Sequence, residues 1–259
     1  MSIGGELMSI RKILSAITVI PFLAFEGLMF YLIHFGEHSP DFDPYYASII
    51  AAASSAIIIF LIRLITARAE NRRLRDVVFN AKNGNLILIA MIFTLVADYY
   101  LVAIPDDMEL RGVTVFLGTQ LFIFLHIMAN DGDTRWRRRN IVTRIILMGV
   151  MLTVGYAILD GNPDLLSSVS MIYYANLLAN ALFAHRSGRG GVLLTVGLIL
   201  FALCDVNVGL SALDSIYFGG FPEGTLLYDI INSDIEFIWI FYIPSQTLIP
   251  MTMLLCEDQ

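Results

Sequence analysis

Two carboxylates fall where water is scarce: Asp98 inside the apolar stretch Leu86–Ile104, and Asp205 inside Gly191–Leu213. An ionised carboxylate at bilayer depth costs at least ~2.5 kcal/mol on insertion scales, so such residues mark chemistry or transport. Both stretches run in the same direction through the bundle expected below. Each acid stands a comparable number of residues from the outer end of its stretch, roughly 10 Å in at 1.5 Å per residue. Glu26 falls at nearly the same level, ten residues before Gly36. Like charges brought close together cannot both ionise, so a pair of acids at one depth supplies a proton donor and a proton acceptor at neutral pH. A neutral carboxyl that protonates an acid-labile bond, with an ionised partner that activates water, is the equipment of general acid–base hydrolysis. Within a bilayer the natural substrate is a lipid. The chain has no Ser-His-Asp order, no HExxH and no phosphate loop, so acyl transfer, zinc proteolysis and nucleotide hydrolysis lack their usual parts.

The elements that must position these acids are membrane helices. Apolar residues make up 57% of the 259-residue chain and the mean hydropathy is +0.73, against the ~45–50% apolar content of soluble domains. A span needs about 20 apolar residues. Eight stretches qualify, at 12–35, 46–66, 85–104, 112–129, 141–159, 164–184, 191–213 and 235–256. Of the 16 Lys and Arg, only Arg111 falls outside the segments on the N-terminal side of these spans; Arg63 and Arg144 are counted with that side. Basic residues mark the cytoplasmic face. The expectation is therefore an all-α, polytopic bundle of eight transmembrane helices with both termini cytoplasmic, forming a single integral membrane domain over residues 1–259. In a bacterial cell it would lie in the inner (plasma) membrane. The net charge of −7 reflects acidic outer loops. The Arg clusters beside the membrane read as topology determinants touching lipid headgroups, and no nucleic-acid partner is expected.

Connections are short and turn-like at 37–44, 105–111 and 160–164, and the longest, from Asp214 to Asp234, carries Gly219, Gly220, Pro222 and Gly224 as a loop that can cover a site. Aligning Asp98 with Asp205 suggests a weak four-plus-four repeat. Cys204 and Cys256 sit within helices, which gives no reason to expect a disulfide or a cysteine metal site. Further polar residues at depth are Tyr99 and Tyr100 after Asp98, Asn207 after Asp205, and His126, Tyr173, Asn176 and Gln246 on the intervening spans. Amides in such positions also serve as interhelical hydrogen-bonding groups, and His126, a few residues from Asp131, stands nearer the cytoplasmic side than the acids do. Pro244 and Pro250 break the ladder of the last span.

The run VADYYLVAIP, then GTQLFIFLH, LFALCDVNVGL and YIPSQTLI, resembles the YhhN-like family of multi-pass membrane proteins, which includes lysoplasmalogenases. The family is similar in having an Asp near the outer part of a third span, a G-x-x-x-F-x-x-x-H pattern in the fourth (Gly118, Phe122, His126), an Asp in the seventh and a Gln in the last. The resemblance implies hydrolysis of the vinyl-ether bond of a lysoplasmalogen, a lysophospholipid, with Asp98 and Asp205 as catalytic pair. The polar residues at depth, Glu26, Tyr99, Tyr100, His126, Tyr173, Asn176, Asn207 and Gln246, are then expected around the substrate. One acid and one base suffice for that chemistry, so no metal or other cofactor is expected. Ala129 and Cys204 depart from the family's usual residues. The alternative that the same acids allow is a proton- or cation-coupled carrier.

Overall fold

The computed structural model describes residues 44–69, 84–103, 108–233 and 237–255, with Ala24, Gly27, Leu28, Tyr31 and Arg73 as single residues. Apart from Ala24, Gly27, Leu28 and Tyr31, the expected first span lies outside the described residues, as do Glu26 and Cys256. Among the described residues every regular element is helical: α1 (Pro44–Ala69), α2 (Asn85–Asp98), α3 (Glu109–Asn130), α4 (Thr134–Ile158), α5 (Leu165–Phe183), α6 (Gly191–Ala212), α7 (Leu226–Ile231) and α8 (Phe237–Leu255). Wide π-helical turns extend α2 over Tyr99–Ala103 and α6 over Leu213–Phe218, and a 3₁₀ turn, Ala184–Arg186, follows α5.

Helix starts follow local chemistry. The Asp133 carboxylate accepts the Arg135 N–H at 2.8 Å and opens α4, Asp164 accepts the Ser167 N–H at 2.7 Å and opens α5, and the Thr225 hydroxyl accepts the Tyr228 N–H at 3.2 Å and opens α7. Each satisfies one of the donors a helix N-terminus leaves unpaired. Between α4 and α5 the chain reverses through left-handed backbone at Asp160 and Gly161, residue types that tolerate it.

Six helices form a closed circuit in which α1 packs on α2, α2 on α3, α3 on α5, α5 on α6, α6 on α8 and α8 on α1, with α8 also reaching α2; α4 stands outside and packs on α5. Close approach is set by small residues, as in membrane bundles generally. Gly118 lies under the Phe93 ring, where a Cβ would stand 2.3 Å from that side chain, and Gly197 lies against Ile249, where the same distance would be 2.9 Å. Phe122 then packs on Phe93 with ring centroids 5.2 Å apart. The Gly and Phe of the G-x-x-x-F-x-x-x-H pattern are thus a device for seating α2 on α3.

Among the described residues, five helical segments are long and apolar enough to cross a membrane: Glu109–Asn130, Thr134–Ile158, Leu165–Arg186, Gly191–Phe218 and Phe237–Leu255; Ala56–Ile65 and Asn85–Leu101 are shorter apolar helices. The surface of α4 agrees with an apolar surrounding. Its buried residues are Asn140, Arg144 and Gly155, while Ile145 is 64% and Ile146 58% exposed. Polar groups inward and large apolar groups outward is the reverse of a water-soluble helix and the pattern of one that faces lipid.

Three boundaries differ from expectation. α4 begins at Thr134 instead of 141, because the Asp133 cap and the Arg run are good helix formers that hydropathy does not register. The expected span ending at 213 continues as a π turn to Phe218, and the expected loop from Asp214 contains that turn and α7. Arg63 and Arg144, counted with the cytoplasmic basic residues, are instead buried inside the bundle. There Arg63 donates to Asn85 Oδ1 at 3.1 Å, and Arg144 is held by amide oxygens.

Candidate functional site

Asp98 is the last α-helical residue of α2, at the point where the chain widens into the π turn, a local distortion common where a helix must aim a side chain. Asp98 is buried and accepts the Tyr242 hydroxyl proton in a hydrogen bond. Tyr242 is presented from α8 two residues before Pro244, where the helix lacks a backbone donor. The Ser245 hydroxyl donates to the Tyr242 carbonyl at 2.7 Å, securing the turn that carries the phenol. Asp205, midway along α6, accepts the Tyr173 hydroxyl from α5. Each acid is therefore a carboxylate held by a phenol from a neighbouring helix. The two pairs meet through Phe201, which lies one turn before Asp205 on α6 and packs on Tyr242.

A row of buried rings joins the two pairs. Ring centroids step from Tyr173 to Phe116 (5.5 Å), from Phe116 to Phe201 (5.7 Å), and from Phe201 to Tyr242 (6.3 Å), with Trp239 flanking Tyr242 at 5.4 Å. Tilted and edge-on contacts of this kind stabilise by ~0.5–1.5 kcal/mol beyond their buried area, so the phenols are fixed in position by packing.

A cavity of about 310 Å³ is lined by Asp205 together with Phe116 and Tyr173, by Glu109, Leu166 and Tyr217, and by Met151 and Ile158 of α4. The Tyr217 hydroxyl donates to Asp164 at 2.9 Å. The Asp164 carboxyl is held below the ordinary aspartate value, chiefly by the Ser167 backbone N–H. Asp98 is not among the lining residues; it is held by Tyr242.

The remaining expected site residues divide. Tyr173 is in the site, holding Asp205. Tyr99 is 56% exposed and packs edge-on to Tyr100 at 6.1 Å, and neither ring lines the cavity. Asn207 donates back to the Leu203 carbonyl of its own helix at 2.8 Å. Gln246 is buried beside Ser245 at 3.4 Å. His126 lies with Asn130, whose Nδ2 is 3.3 Å from His126 Nδ1, and within reach of the Arg63 charge. Arg63 is bound at Asn85, the opposite end of the 14-residue α2 from Asp98, about 20 Å away.

Asn176 belongs to a different centre. The Arg144 guanidinium donates to Asn176 Oδ1 at 2.6 Å, to Asn180 Oδ1 at 2.8 Å and to Asn140 Oδ1 at 3.3 Å, and lies over the Phe124 ring at 4.4 Å. Asn180 in turn donates to the Gln120 side chain at 2.9 Å. This network ties α3, α4 and α5 together. Tyr242 was not foreseen as a site residue, though its place four residues before Gln246, within the YIPSQTLI run, was a usable signal. Among the described residues, no three or more His, Cys, Asp or Glu side chains come together to hold a metal ion.

Fold and site together define a polytopic helical membrane protein with two tyrosine-held aspartates, Asp98 buried and Asp205 half-buried in the wall of an apolar cavity. The chain belongs to the YhhN family, whose family model matches residues 54–253. No curated protein and no solved structure matches it.

Proposed function

We propose that this protein is a membrane-embedded hydrolase that cleaves the vinyl-ether bond of a lysoplasmalogen by carboxylate acid–base catalysis. The observation that carries the reading is Asp205 in the wall of an apolar cavity, with a second aspartate, the buried Asp98, tied to it through the row of packed rings. A carboxyl among apolar walls is the arrangement that places a proton next to an alkenyl chain. Protonation of the vinyl carbon away from oxygen gives an oxocarbenium ion. Water adds to it, and the hemiacetal collapses to a fatty aldehyde and the glycerophospho-headgroup alcohol, consuming one water and returning the proton. One carboxyl acts as acid and one carboxylate as base. Asp205 meets the substrate, and Tyr173 and Tyr242 orient the two acids. YhhN-family membership supports the membrane setting, and the resemblance of the quoted motifs to lysoplasmalogenases supports the substrate class.

The test is aldehyde release from a lysoplasmalogen by the purified protein in detergent or liposomes. Asp98→Asn and Asp205→Asn are each expected to abolish release while the variants still fold. Full activity in either variant would remove that residue from the mechanism, and fatty acid or no product from the unaltered protein would overturn the substrate assignment.

A further inference from the structure

Gly209 lies four residues, one helical turn, beyond Asp205 on α6, and it lines the same cavity. A Cβ built there meets nothing within 4 Å. That separates it from Gly112, Gly118 and Gly197, where an added carbon would stand within 3 Å of a neighbouring side chain. Its backbone is ordinary helix, without positive φ. Neither a close helix approach nor a special turn therefore explains a glycine here, although glycine inside a helix costs ~0.5–1 kcal/mol relative to alanine. Gly149 on α4 has equally open surroundings; what marks Gly209 is that it also lines the cavity, one turn from Asp205.

The neighbouring lining is also small: Ala212 on the same helix, and Ser167 and Ser170 on α5. From Asp205 to Ile216, the α6 wall runs for about 16 Å at 1.5 Å per residue. At about 310 Å³ the cavity stands at the lower end of ligand-site volumes, which suits one hydrocarbon chain and not two. Met151 and Ile158 of α4 form part of its wall, and α4 turns its other face to lipid, so the chamber borders the medium that supplies such chains.

We infer that the cavity is the chain-binding subsite for a single-chain lipid, and that Gly209 is the position that sets how long or bulky a chain it admits. The inference rests on the hydrolase reading in placing the scissile bond at Asp205, with the chain running outward along α6 past Gly209.

The experiment compares the unaltered protein with Gly209→Ala and Gly209→Phe on 1-alkenyl lysophospholipids of graded chain length, following aldehyde release, with binding of a long-chain fluorescent lysophosphatidylcholine measured in parallel. Gly209→Phe is expected to shift the preference toward short chains, by about tenfold in relative kcat/KM for every two methylenes denied burial, with Gly209→Ala in between. Hydrolysis by the unaltered protein together with a parallel chain-length profile in Gly209→Phe overturns the inference and leaves the hydrolase reading intact. Should the unaltered protein release no aldehyde, the hydrolase reading fails and binding decides: loss of the fluorescent lipid on Gly209→Phe supports the subsite, and equal binding overturns it. If Gly209→Phe does not fold, Ser170→Phe narrows the same cavity from its α5 wall and is read in the same two assays.

Discussion

Replacing Arg144 with methionine probes whether the buried polar network, as well as apolar packing, holds α4 to the bundle. The guanidinium makes two short bonds, to Asn176 Oδ1 at 2.6 Å and Asn180 Oδ1 at 2.8 Å, and two long ones at 3.3 Å, to the Asn176 carbonyl and Asn140 Oδ1. Hydrogen bonds to a charged group contribute ~1.5–3 kcal/mol. The lower figure applies in a membrane, where separated helices also find partners. Counting only the two short bonds, Arg144→Met should cost about 3 kcal/mol, since methionine fills the volume but leaves the amide oxygens unpaired. Arg144→Lys should recover part of the loss, because an ammonium lacks the planar fork that reaches two asparagines at once. The assay is unfolding in mixed micelles by titration with sodium dodecyl sulfate, followed by helical ellipticity. Adding Asn180→Leu to Arg144→Met should cost less than the two single changes combined, because they remove the same bond. A loss below about 1 kcal/mol for Arg144→Met, or strict additivity in the double variant, would refute the network as a stabilising element.

Gly118→Leu should destabilise by about 1–3 kcal/mol or more, since its Cβ would stand 2.3 Å from the Phe93 side chain; Gly209→Ala, with open space around it, should stabilise by up to ~1 kcal/mol, and the same micelle titration reads both. Tyr173→Phe and Tyr242→Phe each remove the phenol that holds an aspartate. Each should slow aldehyde release by about 10- to 100-fold, the rate equivalent of a hydrogen bond to a charged group, and a rate within about twofold of the unaltered protein would dismiss the orienting role. Asp164→Ala should cost about 1 kcal/mol through loss of the α5 cap. Because the folded-state pKa of Asp164 is depressed, its contribution is fully present above the unfolded aspartate value of ~3.9 and fades as pH falls through the folded value. Acid-limb stability curves of Asp164→Ala and the unaltered protein should converge there, and persistent separation at low pH would contradict the assignment.

The helical, lipid-facing character of the chain was written in its composition, and the two acids stood out because carboxylates are rare in apolar stretches. Their depth could be counted from the ends of the stretches. Their partners could not be, because which helices are neighbours is a tertiary fact: α8 reaches back across the circuit to set Tyr242 on Asp98. The count of basic residues took Arg63 and Arg144 with the loop charges, since charge alone does not show whether amides wait on the facing helix; both are buried. The i, i+4 spacing of Asn140 with Arg144 on one helix, and of Asn176 with Asn180 on another, held that information. Asn176, expected at the substrate, is occupied by the arginine. The π turns were illegible because nothing in the local residue types distinguishes Tyr99–Ala103 from ordinary helix.

The stack of benzene rings from Tyr173 through Phe116 and Phe201 to Tyr242 has no hydroxyl or amide between its two ends. Benzene rings carry no exchangeable hydrogen, so this row couples the two phenols by contact alone, and cutting away Phe116 or Phe201 to alanine should loosen both tyrosine-held acids at once.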